Sequence, residues 1–191
     1  QMVWTATEYE PDGIVSGSTL LKAVLEDPKV DSVEYPYACL NDKLHGLRAG
    51  ELVTVTAGTG IGKSTFVSEV AYDLLVRQGE TVGYVALEEN IRRTARRFVG
   101  MELNYPIHID RGIFSDDQIE EAFEKTLGTG RLYLYDHFGS LDPTVLLNRV
   151  RHLVTGCGCK WIIFDHLSIL VSGLENGDER RAIDQTMTQL R

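Results

Sequence analysis

A glycine-rich run followed by a lysine and a serine joins a predicted strand to a predicted helix. The run consists of Ala57, Gly58, Thr59, Gly60, Ile61, Gly62, Lys63 and Ser64, and Thr65 follows it. Glycines let the backbone turn tightly with its N–H groups aimed inward, and the start of the helix adds its positive dipole end. This pattern predicts a cradle for a polyphosphate, in which residues 57–65 bind a nucleotide.

Two side chains of this phosphate loop, residues 57–64, have predicted chemical roles. Lys63 would reach the β and γ phosphates of the nucleotide, and Ser64 would hold Mg²⁺ through its hydroxyl. The loop departs from the strict pattern at Ala57, where the pattern has glycine, although a small side chain still fits. The competing interpretation, a turn that binds nothing, is disfavoured because Gly-Lys-Ser-Thr stands at the start of the helix.

Acidic side chains follow two other predicted strands. Asp165 ends the apolar run of residues 161–164, which is typical of a Walker B strand and favours a carboxylate on the metal side of the site. Glu88 and Glu89 follow the strand of residues 82–87, and Glu88 is the preferred candidate to polarise the attacking water because it is nearer the strand. Both glutamates could instead be ordinary acidic residues at the start of a helix near Asn90.

The remainder of the chain alternates between strand and helix patterns. The predicted strands cover residues 52–57, 82–87, 132–135 and 161–164, and the predicted helices cover residues 63–76, 91–99, 116–127, 143–154 and 180–190. Strands that alternate with helices need crossover connections, so we expect an α/β fold with a mostly parallel sheet and helices on both faces. Upstream, residues 1–17 resemble a linker, and Ser18 is expected to cap a short amphipathic helix that Asp27-Pro28 ends.

Bulk composition limits the class of protein. The chain has 191 residues, a net charge of -9 and 43% hydrophobic residues, which indicates one globular domain without a broad basic surface for nucleic acid. Any contact with nucleic acid should therefore be local. Three cysteines in a chain of this length favour a reducing, cytosolic compartment, and no apolar run is long enough to span a membrane. A helical pattern that runs uncapped to Arg191 suggests that the chain is cut from something longer.

Three further features each have a functional and a plainer interpretation. The arginines of residues 92–97 form a basic helical face. A solvated surface is the preferred interpretation of this face, and a contact with phosphate or with an acidic neighbouring subunit is the alternative. Cys157-Gly-Cys159 does not complete a tetrahedral metal set, so a glycine-rich loop entering a buried strand is preferred. Aromatic residues on strand patterns are expected to be core residues rather than platforms for bases; these are Tyr133, Tyr135 and Trp161.

In combination, these motifs resemble a known family. The segment from Lys63 to Glu88, the run Ala86-Leu87-Glu88-Glu89 and the run Phe164-Asp165-His166-Leu167-Ser168 are similar to the helicase half of phage primase-helicases. That half is related to the mitochondrial replicative helicase and, more distantly, to DnaB and RecA. The likeness also includes Pro11-Asp12-Gly13, Asn41-Asp42, the run from Gly46 to Glu51 and Asp178-Glu179-Arg180.

The resemblance implies a RecA-like P-loop NTPase with its C-terminal part missing. Lys63 and Glu88 would be catalytic, Ser64 and Asp165 would hold Mg²⁺, the latter directly or through a water, and His166 matches a family position. The substrate would be a nucleoside triphosphate, ATP or dTTP. Residues 1–35 would be a linker whose helix docks on a neighbouring subunit, and residues 36–191 would be the NTPase core.

The same resemblance implies partners and an activity. We expect a hexameric ring that moves 5′ to 3′ on single-stranded DNA, with a primase or primase-like domain upstream and no membrane contact. The compartment would be the host cytoplasm for a phage protein, or the mitochondrial matrix for the organellar relative. The family's γ-phosphate sensor, DNA-binding loop and arginine finger lie beyond residue 191, so this chain should bind nucleotide better than it hydrolyses it.

Two alternatives stay open from the sequence. A strand-exchange recombinase or a clock-type ATPase would share the phosphate loop but lack a linker helix after an upstream primase. A nucleotide-binding assembly module would carry out no hydrolysis of its own, and a test of Glu88 would distinguish it.

Overall fold

A computed structural model of the chain describes residues 15–26, 31–136, 143–167 and 178–190. It divides into two compact units, Gln1–Asp31 and Ser32–Arg191. Most of the linker predicted over residues 1–17 and the predicted helix stop at Asp27-Pro28 lie outside the described residues. Within the described ranges, no helix has the length and apolar character needed to cross a bilayer.

The first unit contains a 3₁₀ turn, Gly17–Thr19, and the short helix α1, Leu21–Leu25. The helix is present as predicted, but the predicted cap at Ser18 is wrong. The residue before α1 is Leu20, which has no capping side chain, and the hydroxyl of Ser18 is hydrogen-bonded to that of Ser16 at 2.8 Å. The 3₁₀ turn includes Ser18, which places its side chain too early to reach the first N–H groups of α1.

The second unit alternates short strands and helices. Its strands are β1 (Ser32–Val33), β2 (Leu47–Arg48), β3 (Val82–Ala86), β4 (Leu132–Asp136) and β5 (Trp161–Asp165). Its helices are α2 (Ala38–Leu44), α3 (Lys63–Tyr72), α4 (Ile91–Glu102), α5 (Asp116–Lys125), α6 (Pro143–Thr155) and α7 (Asp178–Leu190). A π-helical turn, Asp73–Arg77, extends α3, and a 3₁₀ turn, Leu127–Thr129, follows α5.

Three of the strands form a parallel sheet in the order β4-β3-β5. The register pairs Ala86 at the end of β3 with Asp136 on one side and Asp165 on the other. Parallel strands therefore end at one edge, where ligands bind in folds of this class. β1 and β2 form a separate antiparallel pair.

Side chains from β3 pack into apolar clusters on both faces of the sheet. Val82, Tyr84 and Ala86 belong to a cluster that includes residues of α3 and α4, such as Phe98. Val85 belongs to a second cluster with residues of α6 and partly buried residues of α7. Since every residue of β3 is buried, the strand is central, and the predicted arrangement of helices on both faces of a parallel sheet is confirmed.

One predicted strand differs from the structure. Residues 52–57 have no strand pairing, and Leu52, Val53 and Val55 are each more than 40% exposed. Residues 52–57 and the residues of β5 line the same cavity of about 440 Å³, and no strand pairing joins the two segments. The sequence pattern is typical of a strand, but a strand forms only where a neighbour can accept its hydrogen bonds.

Candidate nucleotide-binding site

The phosphate loop leads directly into α3. Gly60 and Gly62 have φ values of 76° and 103°, a region of backbone conformation that residues with a Cβ rarely adopt. Gly62 precedes the first residue of α3 and no side chain caps the helix. The first N–H groups of α3 therefore have no partner within the helix, which is the arrangement that binds phosphate groups at helix N-termini.

Lys63 is the first residue of α3 and its ammonium group turns back over the loop. Its Nζ atom donates to the carbonyl oxygen of Ala57 at 2.9 Å and to that of Gly58 at 3.0 Å. Both partners are neutral carbonyls in an exposed part of the loop. A phosphate oxygen is a stronger acceptor for an ammonium group than a carbonyl oxygen is, so the side chain is available to exchange these partners for a ligand.

Ser64 and Asp165 lie side by side although 101 positions separate them in the chain. The Ser64 hydroxyl donates to Asp165 Oδ1 at 2.9 Å, and Asp165 is only 6% exposed at the end of β5. Because the serine proton points to the carboxylate, the lone pairs of Ser64 Oγ stay available. The two residues predicted to share Mg²⁺ are thus brought together by the start of α3 and the end of β5.

These two side chains fit the requirements of Mg²⁺. The ion prefers hard oxygen ligands and commonly takes only one or two from the protein, with the others supplied by phosphates and water. Ser64 Oγ and Asp165 supply such oxygens beside the phosphate loop. Among the described residues, no cluster of three or more His, Cys, Asp or Glu side chains offers a site built from protein ligands alone.

Tyr84 also contacts Asp165, a contact that no sequence motif predicted. Its hydroxyl donates to Asp165 Oδ2 at 3.3 Å and is hydrogen-bonded to Ser68 Oγ at 2.9 Å. Burial raises the pKa of the Tyr84 phenol well above its usual range, and the negative charge of Asp165 raises it further. The phenol is therefore a neutral hydrogen-bond donor. In the sequence, Tyr84 is visible only as a tyrosine in a strand pattern. The pattern does not reveal which residues lie next to its hydroxyl.

The structure assigns Glu88 and Glu89 to different surroundings. Glu88 follows β3, is half exposed, and has its Oε2 atom 3.3 Å from Nδ1 of His166, the residue after Asp165. Glu88 is thereby held near the end of β5. Glu89 is 14% exposed and accepts hydrogen bonds from Thr94 and Arg97 of α4. The two glutamates therefore differ in exposure and in partners, and the catalytic role of Glu88 stays a prediction.

The arginines of α4 are likewise divided. Arg97 is 13% exposed, lies 2.7 Å from Glu89 and donates to Ser68 at 3.2 Å; Arg93 lies 3.5 Å from the same glutamate. Arg92 and Arg96 are exposed. The basic face predicted from spacing is therefore two rows, one solvated and one engaged in ion pairs.

Replacing Arg97 with alanine is expected to lower the free energy of unfolding by about 3 kcal/mol, because removing one partner of a buried ion pair leaves the other uncompensated. Urea unfolding followed by circular dichroism measures the change. The matched control is Arg96→Ala, on the same helix but exposed, for which a change within about 0.5 kcal/mol is expected. Equal effects of the two substitutions would contradict a structural role for the Arg97–Glu89 pair.

Cys159 is buried and the strand aromatics are partly buried, whereas Gly156 and Gly158 of the cysteine loop are exposed. Cys159 is 2% exposed and belongs to the cluster beneath α6, and burial raises the pKa of its thiol to about 11. Tyr133 and Tyr135 pack against the same cluster, and Trp161 packs against the cluster beneath α3. These aromatic residues were predicted to be core residues, and the structure shows each of them partly buried against a core cluster.

The sheet, the glycine-rich loop and the strand-end carboxylate define a class of protein. The fold is that of RecA-like ATPase domains. A KaiC-like protein of Pyrococcus horikoshii superimposes with a TM-score of 0.62 at 21% identity, over 84% of this chain and 65% of its own.

Sequence comparisons define the family within that class. Residues 32–191 match the family described as the DnaB-like helicase C terminal domain, and the chain belongs to that family. It is 37% identical over 199 residues to the DNA helicase/primase of Enterobacteria phage T3, across 100% of this chain and 35% of the relative. It is also 26% identical over 166 residues to a probable plasmid replicative DNA helicase of Chlamydia psittaci, across 85% of this chain and 36% of the relative. The chain thus spans about a third of the length of these two relatives.

Proposed function

We propose that the chain is the motor domain of a replicative DNA helicase, which binds a nucleoside triphosphate with Mg²⁺ and couples hydrolysis to movement along single-stranded DNA. The observation that carries this proposal is the hydrogen bond between Ser64 and Asp165 at the mouth of the phosphate loop. It joins the predicted metal ligands of two distant motifs. Family membership supports the assignment of this chemistry to a helicase.

Each residue of the site has a part in the proposed reaction. The N–H groups at the start of α3 would bind phosphate oxygens, and Lys63 would exchange its two carbonyl partners for the β and γ phosphates. Ser64 and Asp165 would hold Mg²⁺, which when bound neutralises charge on the phosphates. Together these contacts would hold the triphosphate tail at the start of α3.

Glu88 would orient and polarise the attacking water. Its carboxylate lies beyond the end of β3, and the contact of one oxygen with His166 leaves the other oxygen to accept a hydrogen bond from water. The water oxygen would form a bond to the γ phosphorus as the bond to the bridging β–γ oxygen breaks. Glu89 is not a candidate for this role, because Thr94 and Arg97 occupy its oxygens.

The larger assembly follows from the family and forms part of the same proposal. The motor would act within a homo-oligomer, a hexameric ring, with nucleotide at subunit interfaces, and α1 with its exposed Leu21 and Val24 would be the segment that docks on a neighbour. An upstream primase or primase-like domain is proposed on the likeness to the phage T3 protein, whose name includes primase. The proposed compartment is the host cytoplasm, with ATP or dTTP as the substrate.

Strand displacement tests this function. With Mg²⁺ and ATP or dTTP, the full polypeptide that carries this domain is expected to separate a forked DNA duplex and to hydrolyse nucleotide faster when single-stranded DNA is added. A recombinase would instead exchange strands between homologous duplexes, and an assembly module would bind nucleotide without hydrolysis. Either of those outcomes would overturn the helicase proposal.

A further inference from the structure

A line of buried and partly buried hydrogen bonds connects α4 with the carboxylate at the end of β5. It begins at Glu89, which pairs with Arg97 at 2.7 Å, and continues from Arg97 to Ser68 Oγ at 3.2 Å. Ser68 Oγ lies 2.9 Å from the Tyr84 hydroxyl, which donates to Asp165 Oδ2 at 3.3 Å. Ser68 and Tyr84 are both 0% exposed. We call this line of four bonds the polar relay.

Proton positions along the polar relay have a single consistent direction. The Arg97 guanidinium can only donate, and the Asp165 carboxylate can only accept. The Tyr84 hydroxyl has one proton, which goes to Asp165, so Ser68 must donate to Tyr84 and accept from Arg97. Each hydroxyl thus accepts once and donates once. Hydrogen bonds aligned in this way from a cation to an anion polarise and strengthen one another.

Asp165 is consequently held from two sides. Ser64 donates to its Oδ1 atom and Tyr84 to its Oδ2 atom, so the carboxylate cannot rotate about its side-chain bonds without losing one of them. Side chains that hold a ligating residue in this way commonly change metal affinity when they are removed. Ser64 belongs to the phosphate loop, whereas Tyr84 lies in the buried central strand, and within the part of the chain that the structure describes its hydroxyl is hydrogen-bonded to Ser68 and Asp165 only.

We infer that Tyr84 is a positioning residue for Mg²⁺, which acts by orienting Asp165, and that Arg97 and Ser68 fix the direction of its hydroxyl. This inference rests on the proposed function, because it assumes that Asp165 holds the ion. It adds α4 and the centre of the sheet to the determinants of metal affinity. Neither contributes a ligand, and neither is part of the phosphate loop or of the strand-end motifs.

The test is a Mg²⁺ titration of nucleotide binding by the chain and by Tyr84→Phe, using a fluorescent adenosine triphosphate analogue as the probe. We expect the half-saturating Mg²⁺ concentration to rise about 10-fold in Tyr84→Phe, while affinity for the nucleotide in EDTA stays within twofold of the original. The substitution removes one oxygen and leaves the ring in place, so a purely structural effect would change both affinities together.

Two further variants complete the design. Tyr105→Phe also removes a phenol that donates to an aspartate, Asp110, but from an exposed loop, and should leave the Mg²⁺ dependence unchanged. Ser68→Ala keeps Tyr84 but removes the serine hydroxyl that donates to the Tyr84 oxygen. It should raise the half-saturating Mg²⁺ concentration about threefold. If Tyr84→Phe does not fold, Ser68→Ala provides the deciding measurement.

The outcomes separate this inference from the proposed function. If the unmodified chain binds nucleotide without any dependence on Mg²⁺, the proposed function fails. If the unmodified chain depends on Mg²⁺ and both Tyr84→Phe and Ser68→Ala match it within twofold, the polar relay has no role in metal binding and the inference is overturned.

Discussion

Replacing Lys63 with alanine is expected to weaken the binding of a nucleoside triphosphate with Mg²⁺ by about 100-fold, equivalent to about 3 kcal/mol. In the unsubstituted chain, the Lys63 ammonium group donates to two carbonyl oxygens at 2.9 and 3.0 Å. Neutral acceptors of this kind are readily exchanged for phosphate oxygens. Alanine removes both the charge and the donors. Isothermal titration calorimetry or fluorescence anisotropy with a labelled nucleotide measures the loss.

The matched control for this prediction is Lys43→Ala. Lys43 is an exposed residue of α2, so the same substitution there removes a positive charge without touching the phosphate loop. Its affinity for nucleotide should stay within about twofold, since a single exposed charge has little effect at ordinary salt concentrations. Similar losses in both variants would mean that general charge, rather than the Lys63 ammonium group, attracts the nucleotide.

Replacing Glu88 with glutamine is expected to slow hydrolysis by at least about 100-fold while nucleotide affinity stays within twofold. Glutamine keeps the size of the side chain but is a poor proton acceptor, so the attacking water loses its base. Single-turnover hydrolysis of γ-labelled nucleoside triphosphate measures the chemical step separately from product release. Equal rates for the two proteins would remove Glu88 from the reaction and favour a nucleotide-binding module.

Glu89→Gln is the internal control, because the same change is made one residue away. Glu89 pairs with Arg97 and accepts from Thr94, so its substitution should lower stability rather than the rate of the chemical step in the folded fraction. The pair of variants therefore assigns catalysis and structure to adjacent glutamates. A larger rate loss in Glu89→Gln than in Glu88→Gln would reverse the assignment.

The sequence predicted features that are encoded in contiguous residues. The phosphate loop is recognisable because its glycines, Lys63 and Ser64 are adjacent, and Asp165 because it ends an apolar strand. The order of helices and strands follows from periodicity for the same reason, and the parallel sheet follows from that order. The division of the chain at residue 35 stays a prediction; in the structure, the sequence boundary of the two compact units falls between Asp31 and Ser32.

Features that depend on distant neighbours could not be predicted. Pairing of residues 52–57 requires a partner within hydrogen-bond reach, which the β-branched pattern of the segment cannot supply. The different partners of Glu88 and Glu89, His166 and Arg97, come from distant or helical segments that the local sequence around the glutamates does not reveal. Tyr84 resembles any buried aromatic residue of a strand until its hydroxyl is seen 3.3 Å from Asp165.

The polar relay also has a thermodynamic consequence. It begins in the Glu89–Arg97 ion pair at α4 and ends at the proposed metal carboxylate, so the inference predicts that the stability of α4 and the binding of Mg²⁺ depend on each other. Thermodynamic coupling is reciprocal: if folding of α4 strengthens ion binding by a given free energy, ion binding stabilises the folded α4 by the same free energy. Binding of Mg²⁺ at the proposed site would therefore protect the backbone amides of a helix that supplies no ligand from hydrogen exchange.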